Sequence, residues 1–277
     1  KKAIESRLAN FSGHISVKST RSNSSYNTSV LNKEGLKLNE IKNLEEVAGA
    51  QSYATVSGIL RTEDNFDGVI LKGVSKDFDA ERFNDFMISG EVPKFTEKGY
   101  NNQVILSEKI ANDLHLKTKD SIVAVFSKED QKLIYRKFEI SGIYKTDIKM
   151  IDDLFIIGDI NHVRKIQNMA NDEVGGIDIF LKKTDKIDTA FPKIERLIGF
   201  KNFAEKATDK YPQIVDWIGL FNTNIGIIIS ILLVVVIINI IMVLLILIIE
   251  RTNSIGVLKT LGATNGQIRA VFINYTL

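Results

Sequence analysis

IGIIISILLVVVIINIIMVLLILII, residues 225–249, is a run of 25 uncharged and almost wholly apolar positions. A helix rises about 1.5 Å per residue, so this run crosses a hydrocarbon core of roughly 30 Å with length left for tilt. More than 220 residues of ordinary composition precede it, which excludes a cleaved signal peptide, and its unbroken apolarity does not fit a core helix of a soluble domain. The chain is expected to be embedded in a membrane. What flanks the run therefore decides what the protein does.

The chain has 277 residues, a formal net charge of +2 and 44% hydrophobic residues, many of them inside residues 225–249. The part upstream suffices for one large or two small packed domains. The absence of cysteine excludes disulfides, a thiol nucleophile and a thiolate metal site, and it fits an exported bacterial domain. Basic residues number 36 against 34 acidic ones and form no block, so nucleic acid is not an expected partner. The sequence starts at Lys1 and stops at Leu277 inside an apolar helical pattern. It reads as a fragment, with membrane segments expected on both sides.

Period-two and period-3.6 patterns divide the upstream part into short elements. Residues 1–10 read as the polar exit of something upstream, and FSGHISVKS (11–19) as a strand. A Ser- and Asn-rich stretch follows, with sequons at Asn23 and Asn27 that in a bacterial protein are simply a polar loop. Leu36, Ile41, Leu44 and Val47 lie near helical spacing, and QSYATVSGILRT and GVILKGV read as strands, giving a β-α-β-β opening. Residues 79–88 suggest a short helix before a turn at Ser89-Gly90. Val104 to Leu106 form a strand, Ser107 can cap a helix over 108–114, and 122–126 and 132–144 are strands. DDLFIIGDINHVRKIQNM reads as strand then helix, 176–181 as a strand, and 187–198 as an amphipathic helix. The class is α+β, rich in β structure.

No catalytic constellation stands out. His14, His115 and His162 are far apart and sit in strand or helix patterns, so ordinary surface or core roles are expected rather than a metal site. Neither GK[ST] nor GxGxxG occurs, and Gly175-Gly176 is a turn rather than a phosphate loop. The adjacent acids Glu45-Glu46 and Asp152-Asp153 point in different directions on a helix or strand and are expected to be solvated. The chain is expected to be neither an enzyme nor a holder of any cofactor.

Residues 208–224, TDKYPQIVDWIGLFNTN, carry Tyr211, Trp217 and Phe221 directly before the apolar run, where aromatic rings suit the headgroup region. Trp217 reads equally well as a core residue. Asn239 is the one strongly polar side chain in the span, and its amide is expected to face a helix partner rather than lipid. Arg251, Lys259 and Arg269 after the run, against Lys206 and Lys210 before it, give a weak cytoplasmic bias to the C-terminal side. Glu250-Arg251 is expected to stop the membrane helix. Asn253 or Ser254 would then cap a short amphipathic helix with Ile255, Leu258 and Leu261 on one face, Gly262 would let the chain turn, and a further helix would begin near Gln267.

These residues carry a resemblance. Glu250-Arg251, Ile255-Gly256, Leu258-Lys259 and Leu261-Gly262-Ala263 resemble the ER…EIG.LKALGA signature of the FtsX-like (MacB-type) ABC transporter permeases, departing from it at Ser254 and Thr260. QVILSEKIANDLHLKTKDSIVAVF is similar to the periplasmic core of that family, with His115 and Lys119 where glycines are usual. FSGHISV and DWIGLFNTNIGIII look like the lipoprotein-releasing (LolC/LolE-type) branch.

The resemblance implies a MacB-like periplasmic core over residues 1–207, a juxtamembrane helix over 208–224 and a transmembrane helix over 225–249. It further implies a cytoplasmic ATPase-coupling helix over 250–265 and the start of another membrane helix over 266–277. Such a subunit is non-catalytic and multi-pass in a bacterial inner membrane, with its large domain in the periplasm. It pairs with a second permease, identical or different, and with cytoplasmic ABC ATPases that bind ATP and magnesium. In the lipoprotein-releasing branch it lifts a membrane lipoprotein out for a periplasmic carrier. MacB-like efflux, FtsX-like control of cell-wall hydrolases and a membrane-anchored ligand sensor are the other readings.

Overall fold

The structure is a computed structural model, and it describes residues 2–22, 27–32, 34–96, 99–128, 132–210 and 212–276. The chain divides into two compact units, Lys1–Pro212 and Gln213–Leu277.

The first unit is built on one mixed ten-stranded sheet. Its strands are β1 (Ile15–Ser19), β2 (Val47–Arg61), β3 (Phe66–Val74), β4 (Met87–Gly90), β5 (Gln103–Ser107), β6 (Ser121–Ser127), β7 (Leu133–Tyr144), β8 (Phe155–Asp159), β9 (Gly176–Leu181) and β10 (Asn202–Lys206). The helices of the unit are short: α1 (Lys2–Ser12), α2 (Leu38–Lys42), α3 (Ala80–Asn84), α4 (Glu108–Asp113), α5 (Lys149–Leu154), α6 (Ile160–Ile166), α7 (Ile187–Glu195) and α8 (Ala207–Lys210). The α+β class expected from the patterning is the one observed.

The 15-residue strand β2 organises the unit, because it belongs to two parts of the sheet. Its first half pairs antiparallel with β9, which continues through β1 to β10. Its second half pairs with β3 on one edge and β6 on the other. From there β3–β8, β8–β5, β5–β7 and β7–β6 complete a ring, so six strands close into a small barrel. Closure removes most sheet edges and turns every second side chain inward. Phe126, Phe138, Leu60, Leu71, Leu106 and Ile156 fill the barrel together with Ile110 and Val163 from α4 and α6. The open part of the sheet has its own core, where Ile15, Val17, Ile177 and Ile179 meet Ile41 of α2 and Ala190 and Ile194 of α7. Each fully buried Ile, Leu or Phe contributes about 1.5–3 kcal/mol.

Several expectations are corrected. Residues 2–12 are helical rather than a polar exit, because Leu8, Ala9 and Phe11 are buried on one side. The strand expected over 11–19 begins only at Ile15, after α1 ends and Gly13 turns the chain at φ 77° against Asp178, where a Cβ would come within 3.0 Å. Ser89-Gly90 lies in β4 rather than a free turn. Asp152 is buried rather than solvated, since its Oδ1 accepts hydrogen bonds from the Thr146 backbone N–H (2.9 Å) and hydroxyl (2.7 Å), while Asp153 pairs with Lys149 outside. Ser107 caps α4 as its sequence position suggests, accepting from the Ile110 N–H at 3.1 Å.

Candidate functional site

The second unit is dominated by α9 (Pro212–Thr260), 49 residues without a break, which at about 1.5 Å per residue is roughly 73 Å of rod. Residues 224–260 are long and apolar enough to cross a membrane, and their side chains are almost all exposed in the isolated chain. A helix that shows Ile, Leu and Val on all sides is matched to lipid or to other membrane helices, not to water.

The separate coupling helix expected over 250–265 is not present as such. Helix α9 runs through Glu250-Arg251, and neither Asn253 nor Ser254 acts as a cap. Charge at those positions ends the apolar run without breaking the backbone: Thr252 donates its hydroxyl back to the Ile248 carbonyl (2.8 Å), as mid-helix threonines do. For the same reason residues 212–224 are the first turns of α9 rather than a distinct juxtamembrane helix.

The real break comes about two turns after Ser254, at Gly262, and several of the backbone groups freed there find partners. Gly262 adopts φ 89°. The Ala263 N–H reaches the Leu258 carbonyl (3.0 Å) and the Gly262 N–H the Lys259 carbonyl (3.0 Å), the paired bonds of a Schellman stop. Immediately afterwards Thr264-Asn265-Gly266-Gln267 forms the start of α10 (Asn265–Thr276), where the Gln267 Oε1 accepts from both the Thr264 backbone N–H and its hydroxyl at 3.0 Å. Two helices thus meet at a four-residue bend, and the next helix begins at Asn265, close to the position expected.

Around this bend the family-like residues fall into two sets. Ile255, Leu258 and Ala263 are half-buried, and Ile268 of α10 is buried. Glu250, Arg251, Gly256, Lys259 and Gly262 are exposed, and Leu261 is 79% exposed. Leu261 therefore does not share the shielded face with Ile255 and Leu258, as helical spacing had suggested, because the chain is already leaving the helix there. A Cβ at Gly256 would meet nothing within 4 Å. Asn239 is exposed in mid-span, as are the residues on either side of it. Tyr211 lies outside the described residues. The backbone of Trp217 and Phe221 is helical, and their side chains lie outside the described part.

Within the first unit the two chain ends are joined. Strands β1 and β10 pair antiparallel, with Ile15 opposite Lys206, and the Ala207 N–H donates to the His14 carbonyl at 3.0 Å. Helix α1, just before β1, is held from Arg7 to its end. Arg7 donates to the Thr146 carbonyl (3.1 Å) and pairs with Asp147, and the Phe11 ring packs on Phe155, Tyr144 and Phe83.

The Phe11 carbonyl, at the end of α1, accepts from the Lys72 ammonium at 3.0 Å. Lys72 also pairs with Asp178 at 2.7 Å, with side-chain exposures of 4% and 0%, and lies 4.9 Å and 5.1 Å from the Phe11 and Tyr53 ring centres. Ser16 donates to the second Asp178 oxygen (3.1 Å) and bonds the Tyr53 hydroxyl (3.0 Å). Patterning did not single out this network, although a lysine in VILKGV and an aspartate in GIDIFL, both otherwise apolar strands, are the signal it leaves.

His14 occupies the same joint. Its Nδ1 accepts the Leu181 N–H (3.2 Å), so Nε2 carries the proton and faces the Thr184 hydroxyl (3.2 Å). Burial, with the positive charge of Arg82 nearby, lowers its pKa to about 4. His162 is likewise a buried core histidine with a lowered pKa, caused chiefly by burial, and its Nε2–H donates to the Asn101 carbonyl at 3.0 Å. Among the described residues no group of three or more His, Asp or Glu could hold a metal ion.

Comparison with known proteins bears unequally on the two units. An uncharacterized membrane protein of Buchnera aphidicola subsp. Schizaphis graminum (strain Sg) is 22% identical over 251 residues, covering 85% of this chain. The chain spans 58% of that relative's length. The extracellular domain of the noncanonic ABC-type transporter YknZ from Gram-positive bacteria aligns at 16% identity over 69% of this chain and 99% of its own, with a TM-score of 0.46. The periplasmic region of MacB from Actinobacillus actinomycetemcomitans aligns at 14% identity over 78% and 98%, with a TM-score of 0.47. Likeness at that level carries no functional weight. The family match falls elsewhere, on the second unit: residues 226–277, which hold the apolar span, the bend and α10, match the FtsX-like permease C-terminal family.

Proposed function

We propose that the chain is part of a non-catalytic permease subunit of an ABC transporter of the FtsX/MacB type. The observation that carries this reading is the family match over residues 226–277, on the segment where the structure has a membrane-length helix and a capped bend. In this reading the bend faces a cytoplasmic ATPase that binds ATP and magnesium, and the first unit stands in the periplasm of a bacterial cell. Leu261 and Lys259 are exposed groups that would meet the ATPase, with Arg251 at the rim of that contact, whereas Ile255, Leu258 and Ala263 hold the bend's shape. Asn239 faces a second permease subunit, identical or different.

The mechanism we propose is mechanical. ATP-driven movement at the bend displaces α9 as a rod, since an unbroken helix resists compression better than jointed segments. Displacement then reaches β10, which is zipped to β1, so both chain ends of the first unit must move together. The Lys72–Asp178 pair and the Phe11 cluster make α1 part of the body they move. The cargo we propose is a membrane lipoprotein handed to a periplasmic carrier, supported by the resemblance of residues 11–17 and 216–229 to the lipoprotein-releasing branch. Efflux of small molecules or peptides and control of cell-wall hydrolases fit the same match.

The deciding experiment purifies the full-length protein, co-expressed with its neighbouring genes, in mild detergent and identifies its companions by mass spectrometry. A Walker-motif ATPase with an acylated lipoprotein is the expected result. An outer-membrane channel or a hydrolase in place of the lipoprotein changes the cargo, and recovery without any ATPase refutes the permease reading and favours the sensor. Leu261→Ala is expected to lower transporter-stimulated ATP hydrolysis without unfolding the chain.

A further inference from the structure

Residues 99–102, just before β5, lie across the start of α6 and are held there by polar bonds. The Asn101 N–H donates to the Asp159 Oδ2 at 2.8 Å, the Asn161 side-chain amide to the Gly99 carbonyl at 3.0 Å, and the His162 Nε2–H to the Asn101 carbonyl at 3.0 Å. The Tyr100 ring packs on the His162 ring with 5.4 Å between centres, and the Lys165 ammonium lies 5.3 Å from the centre of Tyr100. The two sides of this contact are anchored unequally. Helix α6 sends Ile160, Val163 and Ile166 into the barrel core, whereas none of residues 99–102 is buried and Tyr100 is 53% exposed. A segment tied by polar bonds and lacking a buried apolar anchor is where local opening costs least.

His162 is the titratable group inside this contact. It is 3% exposed, with Phe138 of β7 edge-on to it at 4.9 Å. Because Nε2 gives its proton to Asn101, the neutral ring keeps Nδ1 as an acceptor, and that atom is buried with no hydrogen-bond partner among the described residues. Such an atom is uncommon in a folded chain and calls for a reason. A proton added at Nδ1 finds its neighbouring carboxylate engaged, since Asp159 takes the Asn101 N–H on Oδ2 and the Asn161 N–H on Oδ1. Burial lowers the pKa of His162 in this arrangement. Of the groups that face the ring, the Asn101 carbonyl and Asp159 of β8 favour the cation, while Arg136 of β7 and Lys165 of α6 oppose it.

We propose that residues 99–102 are an acid-operated latch on α6, closed while His162 is neutral and opened by a proton at its Nδ1. Opening brings the imidazolium into water and frees the Asp159 Oδ2 from Asn101, so the cation gains both the solvent and the carboxylate that the closed form denies it. Moving α6 instead would draw Ile160, Val163 and Ile166 out of the barrel, which costs far more than parting a few polar bonds at the surface. The proton balance fixes the direction. Above pH 6.5 both forms hold a neutral ring; below it the open form, whose ring titrates near the ordinary 6.5, binds a proton that the closed form resists. Asn101 also lines a polar cleft of about 800 Å³ together with Lys94, Gln103, Lys119 and Glu139, so acid changes the shape of that cleft. The latch depends on the first unit alone and stands apart from the permease reading.

The test is hydrogen exchange of the full chain in detergent micelles at pH 7.5, 6.5 and 5.5, corrected for the intrinsic pH dependence of amide exchange. The Asn101 amide is read against the amides of residues 56–60 in β2 and 164–167 in α6, a ratio that cancels any global loosening, that from His14 included. Between pH 7.5 and 5.5 the ratio is expected to rise about threefold or more, with about tenfold as the ceiling set by a ring that titrates at 6.5 when open. His162→Gln keeps an amide donor for the Asn101 carbonyl but has no proton to gain, so its ratio should stay flat with pH. Tyr100→Ala removes an exposed ring, should leave thermal unfolding unchanged, and should speed Asn101 exchange at every pH while keeping the acid response. A ratio that does not rise in acid, a rise that persists in His162→Gln, or α6 amides that speed up in step with Asn101 overturns the latch. Should His162→Gln fail to fold, Tyr100→Ala decides, since an Asn101 amide unmoved by that change also overturns it.

Discussion

Acid should loosen the joint between the two chain ends of the first unit, and His14 sets how much. In the folded chain the pKa of His14 lies at about 4, against 6.5 for the free side chain, because burial opposes the charge and Arg82 adds repulsion. A second reason is geometric: Nδ1 already accepts the Leu181 N–H, so protonation must break that bond. Above pH 6.5 both folded and unfolded chains hold neutral imidazole, and His14 contributes no pH dependence. As pH falls below 6.5 the unfolded chain binds a proton that the folded chain refuses, and stability is lost until the folded pKa is reached. The linkage amounts to about 2 kcal/mol by pH 5 and about 3 kcal/mol by pH 4. His14 is only 6% exposed, so little of this is screened by solvent.

The assay is urea unfolding in mild detergent at pH 7.5, 6, 5 and 4, followed by the near-ultraviolet signal of the chain's seven tyrosines. His14→Asn removes the titration. It costs a constant amount from lost hydrogen bonds, but its stability should fall less steeply with acid than the parent's, by about 2 kcal/mol between pH 7.5 and 5. Arg82→Ala should flatten the parent curve in part. Parallel curves for parent and His14→Asn would refute the assignment.

Three further outcomes follow from the packing. Lys72→Met leaves the fully buried Asp178 carboxylate without its cation and should cost about 3–5 kcal/mol, whereas Lys72→Met with Asp178→Asn should recover most of that loss in a double-mutant cycle. His115 and Lys119 hold φ of 55° and 76°, so His115→Gly and Lys119→Gly should be neutral or stabilising by up to about 1 kcal/mol in the same unfolding assay. Gly262→Ala meets open space but forces a Cβ into the left-handed region, and should cost about 1 kcal/mol at the bend, read as faster exchange of the Gly262 and Ala263 amides.

Local pattern carried most of the elements. The strands around 104–106, 122–126, 133–144 and 176–181 and the cap at Ser107 were legible because each rests on alternation or capping within a few residues. The barrel was not, since its closure depends on β6 reaching back to β2 across some sixty residues, and no local signal encodes that pairing. Helix α1 was missed because, among its described side chains, only Leu8, Ala9 and Phe11 give its buried side an apolar signal. The apolar run was plain from composition, yet the helix end was misplaced: Glu250-Arg251 reports where the apolar run stops, whereas Gly262 and the Thr264–Gln267 cap report where the helix stops. The two glycine-like positions, His115 and Lys119, were legible only through the family resemblance, and their positive φ explains why glycine is usual there.

The pairing of β1 with β10 joins residues nearly two hundred positions apart. Contacts of that separation are the slowest to form, because the intervening chain must be ordered before they are rewarded. During synthesis β1 leaves the ribosome early and must remain unpaired on that edge until β10 emerges, directly ahead of the apolar helix. The open sheet can therefore close only after β10 has cleared the ribosome's exit tunnel, by which time the apolar run of residues 225–249 is being made, so a pause placed late enough for β10 to have emerged would give the sheet time to close before that run follows.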